Sequence, residues 1–301
     1  MHTRVSRIGL LLLGLFGSFW WLTLSIALAK PTLKISAIPD QNPERLSRLY
    51  DLLSLYLSSQ LSVPVRYIPV TNYPAAVSAF RTRSLDVVWF GGLTGVQARL
   101  QRPGALVLAQ RDIDKSFRSV FIANIDSGLE PVDSQSGLSV LKGRRFTFGS
   151  ESSTSGRLMP QFFLAEVGVL PSDFAGGYAG FSGSHDATIA LVQSGSYEAG
   201  ALNEQVWQAA IASGRAKPTE VIVLWRSRPY ADYHWLAQPD LDRRFGSNFT
   251  KRLQQALFSL SSTKPEHALI LSLFGAKRFI PANESQYNAI EEIGRQLGKV
   301  K

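Results

Sequence analysis

Residues 147–156 read TFGSESSTSG. The run RRFTFGS that leads into them has the apolar, β-prone character of a short strand. Four hydroxyl side chains follow at Ser152, Ser153, Thr154 and Ser155, and Gly156 closes the cluster. The next stretch, GRLMPQFFLAEVGV, reads as a helix. A strand, a short Ser/Thr/Gly loop and a helix make an arrangement that can hold an anion. The first N–H groups of a helix have no partner inside it and point outward with the positive end of its dipole. Plain N-capping by Ser153 or Thr154 is the other reading of the same residues. A nucleotide-phosphate loop is excluded, because GxxxxGK[ST] is absent.

The design recurs. FSGSHDATIALVQSG is again a Gly/Ser loop at a helix start, with His185 between Ser184 and Asp186. Earlier in the chain, DVVWFGG sets Trp89 and Phe90 at the end of an apolar strand, and TNYPAAV sets Tyr73 at a helix start. These aromatics fit either a core or the apolar wall of a cleft.

Strands and helices alternate from Leu33 onward. LKISAIP is a strand, and Asn42-Pro43 opens a helix with Leu46, Leu49, Tyr50, Leu53 and Leu57 at helical spacing. VPVRYIPV, LDVVWFGG, ALVLAQRD and SVFIANI are further strands. Residues 126–139 form an Asp/Ser/Gly-rich break, after which a second α/β unit runs to EVIVLWRS. Residues 240–301 read as mostly helical. The expectation is two α/β lobes, each a mostly parallel sheet covered by helices. Residues 30–124 plus 226–301 make the first lobe and 125–225 the second. Ligands of open α/β sheets sit at the C-terminal ends of strands, where the hydroxyl cluster lies.

The N-terminus carries Arg4 and Arg7, an apolar run from Ile8 to Ile26, and Ala27-Leu28-Ala29 before Lys30. That is the pattern of a signal peptide over residues 1–29 and of export to the periplasm; an uncleaved membrane anchor is the other reading. The chain has no cysteine, which excludes thiol chemistry and lipid modification of an N-terminal cysteine. Taking Arg4 and Arg7 from the net charge of +9 leaves +7, a field that favours anions. No basic block interleaved with aromatics exists, so nucleic acid is a poor partner.

From about Leu33 to Leu297 the chain resembles the phosphate/phosphite/phosphonate type of periplasmic binding protein, including a selenate-binding branch. The likeness rests on TNYPAAVSAFRTRSLDVVWFG, LKGRRFTFGSESSTSGRLMP, FSGSHDATIALVQSG, YEAGALN and FGAKRFIPANESQYNAI. It implies a two-lobed fold of type II whose hinge closes on a small oxyanion, with an ABC transporter permease as partner and no cofactor. It also implies a monomer without catalysis. Carried over, the oxyanion ligands are Ser153, Thr154, Ser155 and His185, with Tyr73 from the first lobe. Trp89 and Phe90 complete the expected wall.

Two departures matter. Where relatives often carry an aspartate, GALNEQV has Asn203. A neutral amide tolerates a fully ionised ligand such as sulfate or selenate, whereas a carboxylate needs a protonated one. If Asn203 faces the cleft, strand alternation turns Glu204 away. The hinge-return segment, SRPYADYHWLAQPDL, offers Tyr230, Tyr233 and His234 either to the cleft or to hinge packing. A hydrolase built on His185 and Asp186 is the alternative function, but GxSxG and HExxH are absent. A sensor domain tethered by an uncleaved leader is the third.

Overall fold

Residues 31–301 are described in the structure, a computed structural model, so the expected leader lies outside the described residues. The chain opens with β1 (Leu33–Ala37) and α1 (Pro43–Leu61). Asn42 caps α1 by accepting the N–H groups of Glu44 and Arg45 at 2.9 and 3.2 Å, and the expected stripe from Leu46 to Leu57 is buried. Next come β2 (Val65–Tyr67), α2 (Tyr73–Arg81), β3 (Val87–Phe90), α3 (Gly92–Leu100) and β4 (Leu106–Arg111). The chain then crosses to β5 (Ser119–Asn124) and β6 (Phe146–Phe148). A π-helical turn, Thr154–Leu158, leads into α4 (Met159–Glu166). The rest of this part is β7 (Gly180–Phe181), α5 (His185–Gln193), β8 (Ala199–Asn203), α6 (Glu204–Ala212) and β9 (Val221–Arg226). The chain crosses back to β10 (His234–Ala237) and ends with α7 (Leu241–Phe245), α8 (Phe249–Phe258), α9 (Pro265–Phe274), β11 (Phe279–Pro281) and α10 (Asn288–Gln296).

The strands form two sheets, ordered β11-β4-β10-β3-β1-β2 and β7-β6-β8-β5-β9. Each lobe is thus a sheet with helices around it. The sheets are more mixed than expected, because a strand from each crossing is inserted antiparallel: β10 between β3 and β4, and β5 between β8 and β9. This corrects the boundary placed after residue 124. Residues 119–124 already belong to the second sheet, because Val120 to Ala123 pair on both sides with lobe 2 strands. The FIP stretch, not read as a strand, pairs with the edge of β4.

The two crossings run side by side. Phe117 and Tyr230 exchange both backbone hydrogen bonds at 2.8 and 2.9 Å, Ser227 N–H donates to Ser119 O at 3.0 Å, and Asp232 N–H to Asp114 O at 3.0 Å. They make the two-stranded hinge between the lobes. Each lobe has its own aromatic core. Trp89, Trp235, Tyr50 and Phe274 pack in the first; Phe121, Phe146, Phe148 and Phe174 pack in the second. Full burial of each such ring is worth about 1.5–3 kcal/mol.

Candidate functional site

Two helix starts from opposite lobes meet at the cleft. In lobe 2, Ser153 opens the π-helical turn and its Oγ accepts Gly156 N–H at 3.0 Å. In lobe 1, β3 ends at Gly91 and α3 begins. Leu93 N–H donates across the cleft to Thr154 Oγ1 at 2.9 Å, and Gly92 N–H donates to Asp232 Oδ1 at 2.8 Å. The glycines permit this approach. A Cβ on Gly91 would lie 3.1 Å from Thr154 Oγ1 and 3.3 Å from Asp232 Oδ1. One on Gly156 would lie 3.1 Å from both His185 Cε1 and Ser153 Oγ.

Three buried oxygens at this junction have no hydrogen-bond partner among the described residues: Tyr73 Oη, Ser155 Oγ and Asp232 Oδ2. They come from three segments. Tyr73 lies beside Ser153 and within electrostatic reach of Asp232, while Asp232 lies beside Thr154. An unsatisfied buried polar group costs about 1–3 kcal/mol, and Tyr73 and Asp232 leave that cost unmet near one another at this junction. Burial raises the Asp232 carboxyl to about 7, against the opposing pull of the Gly92 N–H.

His185 is fully buried, and burial lowers it to about 4, so its ring is neutral at pH 7. The backbone N–H of Asn203 points at Nδ1 at 3.4 Å, which assigns the ring proton to Nε2, 3.3 Å from Tyr233 Oη. Tyr233 donates to Asp40 Oδ2 at 2.9 Å. Burial raises Asp40 to about 6, although Tyr233 and Arg111 favour its charged form. Arg111 is held by Asp114 at 2.6 Å and packs over the rings of Trp89, Phe117 and Tyr233 at 5.4, 5.6 and 4.9 Å. Arg157, just beyond the hydroxyl cluster, is buried over Phe148 at 4.4 Å, and burial lowers it to about 10.

The structure thus brings Tyr73, Ser153, Thr154, Ser155 and His185 together, each from a helix start. Other expected residues stand elsewhere. Phe90 points into the lobe 1 core against Phe80, because alternation along β3 sends it away from the face that Trp89 takes. Trp89 is buried against Tyr233, with ring centroids 5.7 Å apart, as backing for that ring. Tyr230 sits behind the hydroxyl loop: its Oη meets Ser119 Oγ at 2.6 Å, and Ser119 Oγ donates to Ser155 O at 2.7 Å. His234 packs on Tyr287 at 4.1 Å.

Asn203 is a cap. Its Oδ1 accepts Val206 N–H at 3.0 Å and its Nδ2 donates to Tyr233 Oη at 3.1 Å. Glu204 does turn away, to Arg226 at 2.8 Å. The carboxylates that matter are Asp232 and Asp40, which sequence reasoning missed. The signal for Asp232 was the run Tyr230-Ala231-Asp232-Tyr233, a lone carboxylate between aromatics in a hinge-return segment.

Fold and site together define a two-lobed α/β protein of the periplasmic binding class, with hydroxyl donors and a buried carboxyl at the seam between its lobes. Residues 35–287 match the family described as "ABC transporter, phosphonate, periplasmic substrate-binding protein", and the chain belongs to that family. It is 54% identical over 269 residues to the probable ABC transporter phosphite binding protein PhnD1 of Prochlorococcus marinus strain MIT 9301, covering 89% of this chain and 91% of that one. The solved structure of that PhnD1 in complex with methylphosphonate matches with a TM-score of 0.88 over 89% of this chain and 99% of the other. The phosphonates-binding periplasmic protein of Escherichia coli K12 is 25% identical, over 79% of this chain and 68% of its own length. The chain is therefore the periplasmic substrate-binding component of an ABC transporter and not an enzyme. Among the described residues no helix is long and apolar enough to cross a membrane.

Proposed function

We propose that this chain captures phosphite or a short alkylphosphonate such as methylphosphonate, sharing one proton with Asp232. Tyr73, Ser153, Thr154 and Ser155 would supply the donors, with the neutral His185 ring packed behind them. The burial of Asp232, with Oδ2 free of any partner among the described residues and its carboxyl raised to about 7, carries the reading. A carboxyl and an oxyanion can touch only if one of them holds a proton. Phosphite and phosphonates titrate near neutrality and can supply it. Sulfate and selenate have none to give, so they would set charge against charge once Asp232 ionises, above about pH 7. The preference for a fully ionised ligand, argued from Asn203, gives way to this reading, since that amide is engaged in capping and in Tyr233.

The likeness to PhnD1, named as a phosphite binder and solved with methylphosphonate, supports the same class. We take the mature protein to be a monomer cleaved after Ala29, closing about the paired crossings near residues 112–118 and 227–233 and delivering its ligand to a membrane permease. Calorimetric titration with phosphite, methylphosphonate, sulfate and selenate at pH 6 and pH 8 tests the ligand. The expected result is binding of both phosphorus anions at both pH values and of neither other anion at pH 8. Sulfate or selenate binding as tightly as phosphite at both pH values would refute it.

A further inference from the structure

The seam between the lobes has a second line of contacts beside the oxyanion donors. The loop after β1 meets the start of α5. His185 N–H, the first of that helix, donates to Asp40 O at 2.9 Å, and Asn42 N–H donates to Asp186 Oδ2 at 2.7 Å. Arg215 holds the other oxygen of Asp186. Inside this loop stands Tyr233, whose hydroxyl is fully used. Its one hydrogen goes to Asp40 Oδ2 at 2.9 Å. Its two lone pairs face Asn203 Nδ2 at 3.1 Å and His185 Nε2 at 3.3 Å. Asp40 and Tyr233 belong to lobe 1 and the hinge; His185 and Asn203 belong to lobe 2.

The donor count decides what Tyr233 can do. A phenol has one donor and two acceptor sites, and all three are occupied by protein groups. No capacity is left for a ligand oxygen. Three of the four groups are fully buried and the fourth, Asp40, is nearly so. If the lobes part, Tyr233 loses both donors and His185 N–H loses its acceptor. These bonds exist only in the closed state, so they lower the free energy of that state alone.

We propose that Tyr233 is a positioning residue that latches the lobes: it ties Asp40 of lobe 1 to His185 and Asn203 of lobe 2 and so sets how long the closed complex lasts. The inference deepens the reading under Proposed function and rests on it. The latch holds the ligand in without touching it. It also orients the His185 ring, whose Nε2 proton faces the Tyr233 oxygen.

The test is Tyr233→Phe, which keeps the ring against Trp89 and Arg111 and removes only the hydroxyl. Stopped-flow tryptophan fluorescence with phosphite and with methylphosphonate reads association and dissociation separately. Dissociation should speed up by about 10- to 100-fold, as loss of one to two buried hydrogen bonds implies, with association within about 2-fold. The factor should be the same for both anions. Asp40→Asn, which keeps an acceptor for Tyr233, should stay near wild type. Asp40→Ala, which leaves the bonds from His185 and Asn203 to Tyr233 in place, should speed dissociation less than Tyr233→Phe, and the double variant should be no worse than Tyr233→Phe alone. A changed phosphite-to-methylphosphonate ratio would make Tyr233 a ligand contact and overturn the latch, as would unchanged dissociation.

If the wild type binds neither anion, the ligand reading fails and the latch is judged without ligand. The chain has no cysteine, so spin labels at Leu55→Cys and Leu170→Cys, both exposed and on opposite lobes, report lobe separation. A closed population that shrinks in Tyr233→Phe supports the latch. No closed population in either protein, or an equal one in both, overturns it.

Discussion

The two walls of the cleft are built from opposite chemistry. Lobe 2 presents donors that carry no full charge, the hydroxyl turn at Ser153–Ser155 and the helix start beneath it, backed by the neutral ring of His185. Lobe 1 and the hinge present two buried carboxyls, Asp40 and Asp232, both raised by burial. A donor wall alone would take any tetrahedral anion. On the proposed reading a buried carboxyl adds the demand for a shared proton, which above about pH 7 a titrating phosphorus anion can meet and sulfate cannot. On that reading, selectivity is set by the carboxyl wall and affinity mostly by the donors.

Removing the acceptor should break this division most visibly. Asp232→Asn keeps an oxygen for Gly92 N–H but lets the site offer a donor where a carboxyl stood. Phosphite affinity at pH 7 should fall by about 10- to 100-fold, the loss of one charge-assisted hydrogen bond. Sulfate should now bind measurably, and calorimetry reads both. A variant that loses phosphite without admitting sulfate would show that the donor wall discriminates by itself.

The donor wall is probed by Thr154→Val, which keeps the shape and strips the acceptor from Leu93 N–H across the cleft. All anions that bind should weaken together, by roughly 10-fold, since a buried N–H is left without its partner. A selective loss would move Thr154 from the donor wall to the discriminating one.

The same carboxyl leaves a mark on stability without any ligand. Asp232 has a folded pKa of about 7 against a reference of 3.8, so its contribution is fully present below 3.8 and is lost as pH rises through about 7. His185 runs the other way. Lowered to about 4, it contributes stability that is present above 6.5 and lost as pH falls through 4. Subtracting the Asp232→Asn curve from wild type cancels the histidine. The variant should be more stable at pH 8, by on the order of 2–4 kcal/mol, with the advantage gone near pH 4. Thermal unfolding at a series of pH values measures it. A difference that does not vary with pH would mean that burial does not raise the Asp232 carboxyl.

The two walls were not equally legible in the sequence. The donor wall is local. Ser153–Gly156 and Ser184-His185 announce themselves because a strand, a small-residue loop and a helix are contiguous, and the helix start does the chemistry. The carboxyl wall is assembled by topology. Asp232 meets Gly92 only because the second crossing lies against the first and enters the lobe 1 sheet between β3 and β4. Asp40 meets Tyr233 across 193 residues of chain. No spacing rule joins such pairs. The same limit explains the boundary at residue 124: SVFIANI reads correctly as a strand, but nothing within it tells which sheet will take it.

Asn203 makes the smallest and most pointed test, because in sequence it looked like the selecting residue and in the fold it is the cap of α6 with an amide N–H on Tyr233. Asn203→Ala removes the side-chain acceptor from Val206 N–H, and loss of an N-cap costs about 1 kcal/mol. The melting temperature should drop by about 2–4 °C, the range for a domain of this size. Affinity should slip a few-fold for every anion, because Tyr233 loses one of its two donors. The ratio of phosphite to sulfate should not move. If it does move toward the phosphorus anion, the amide is in contact with the ligand after all, and the division into a donor wall that binds and a carboxyl wall that selects would have to be redrawn with Asn203 on the selecting side.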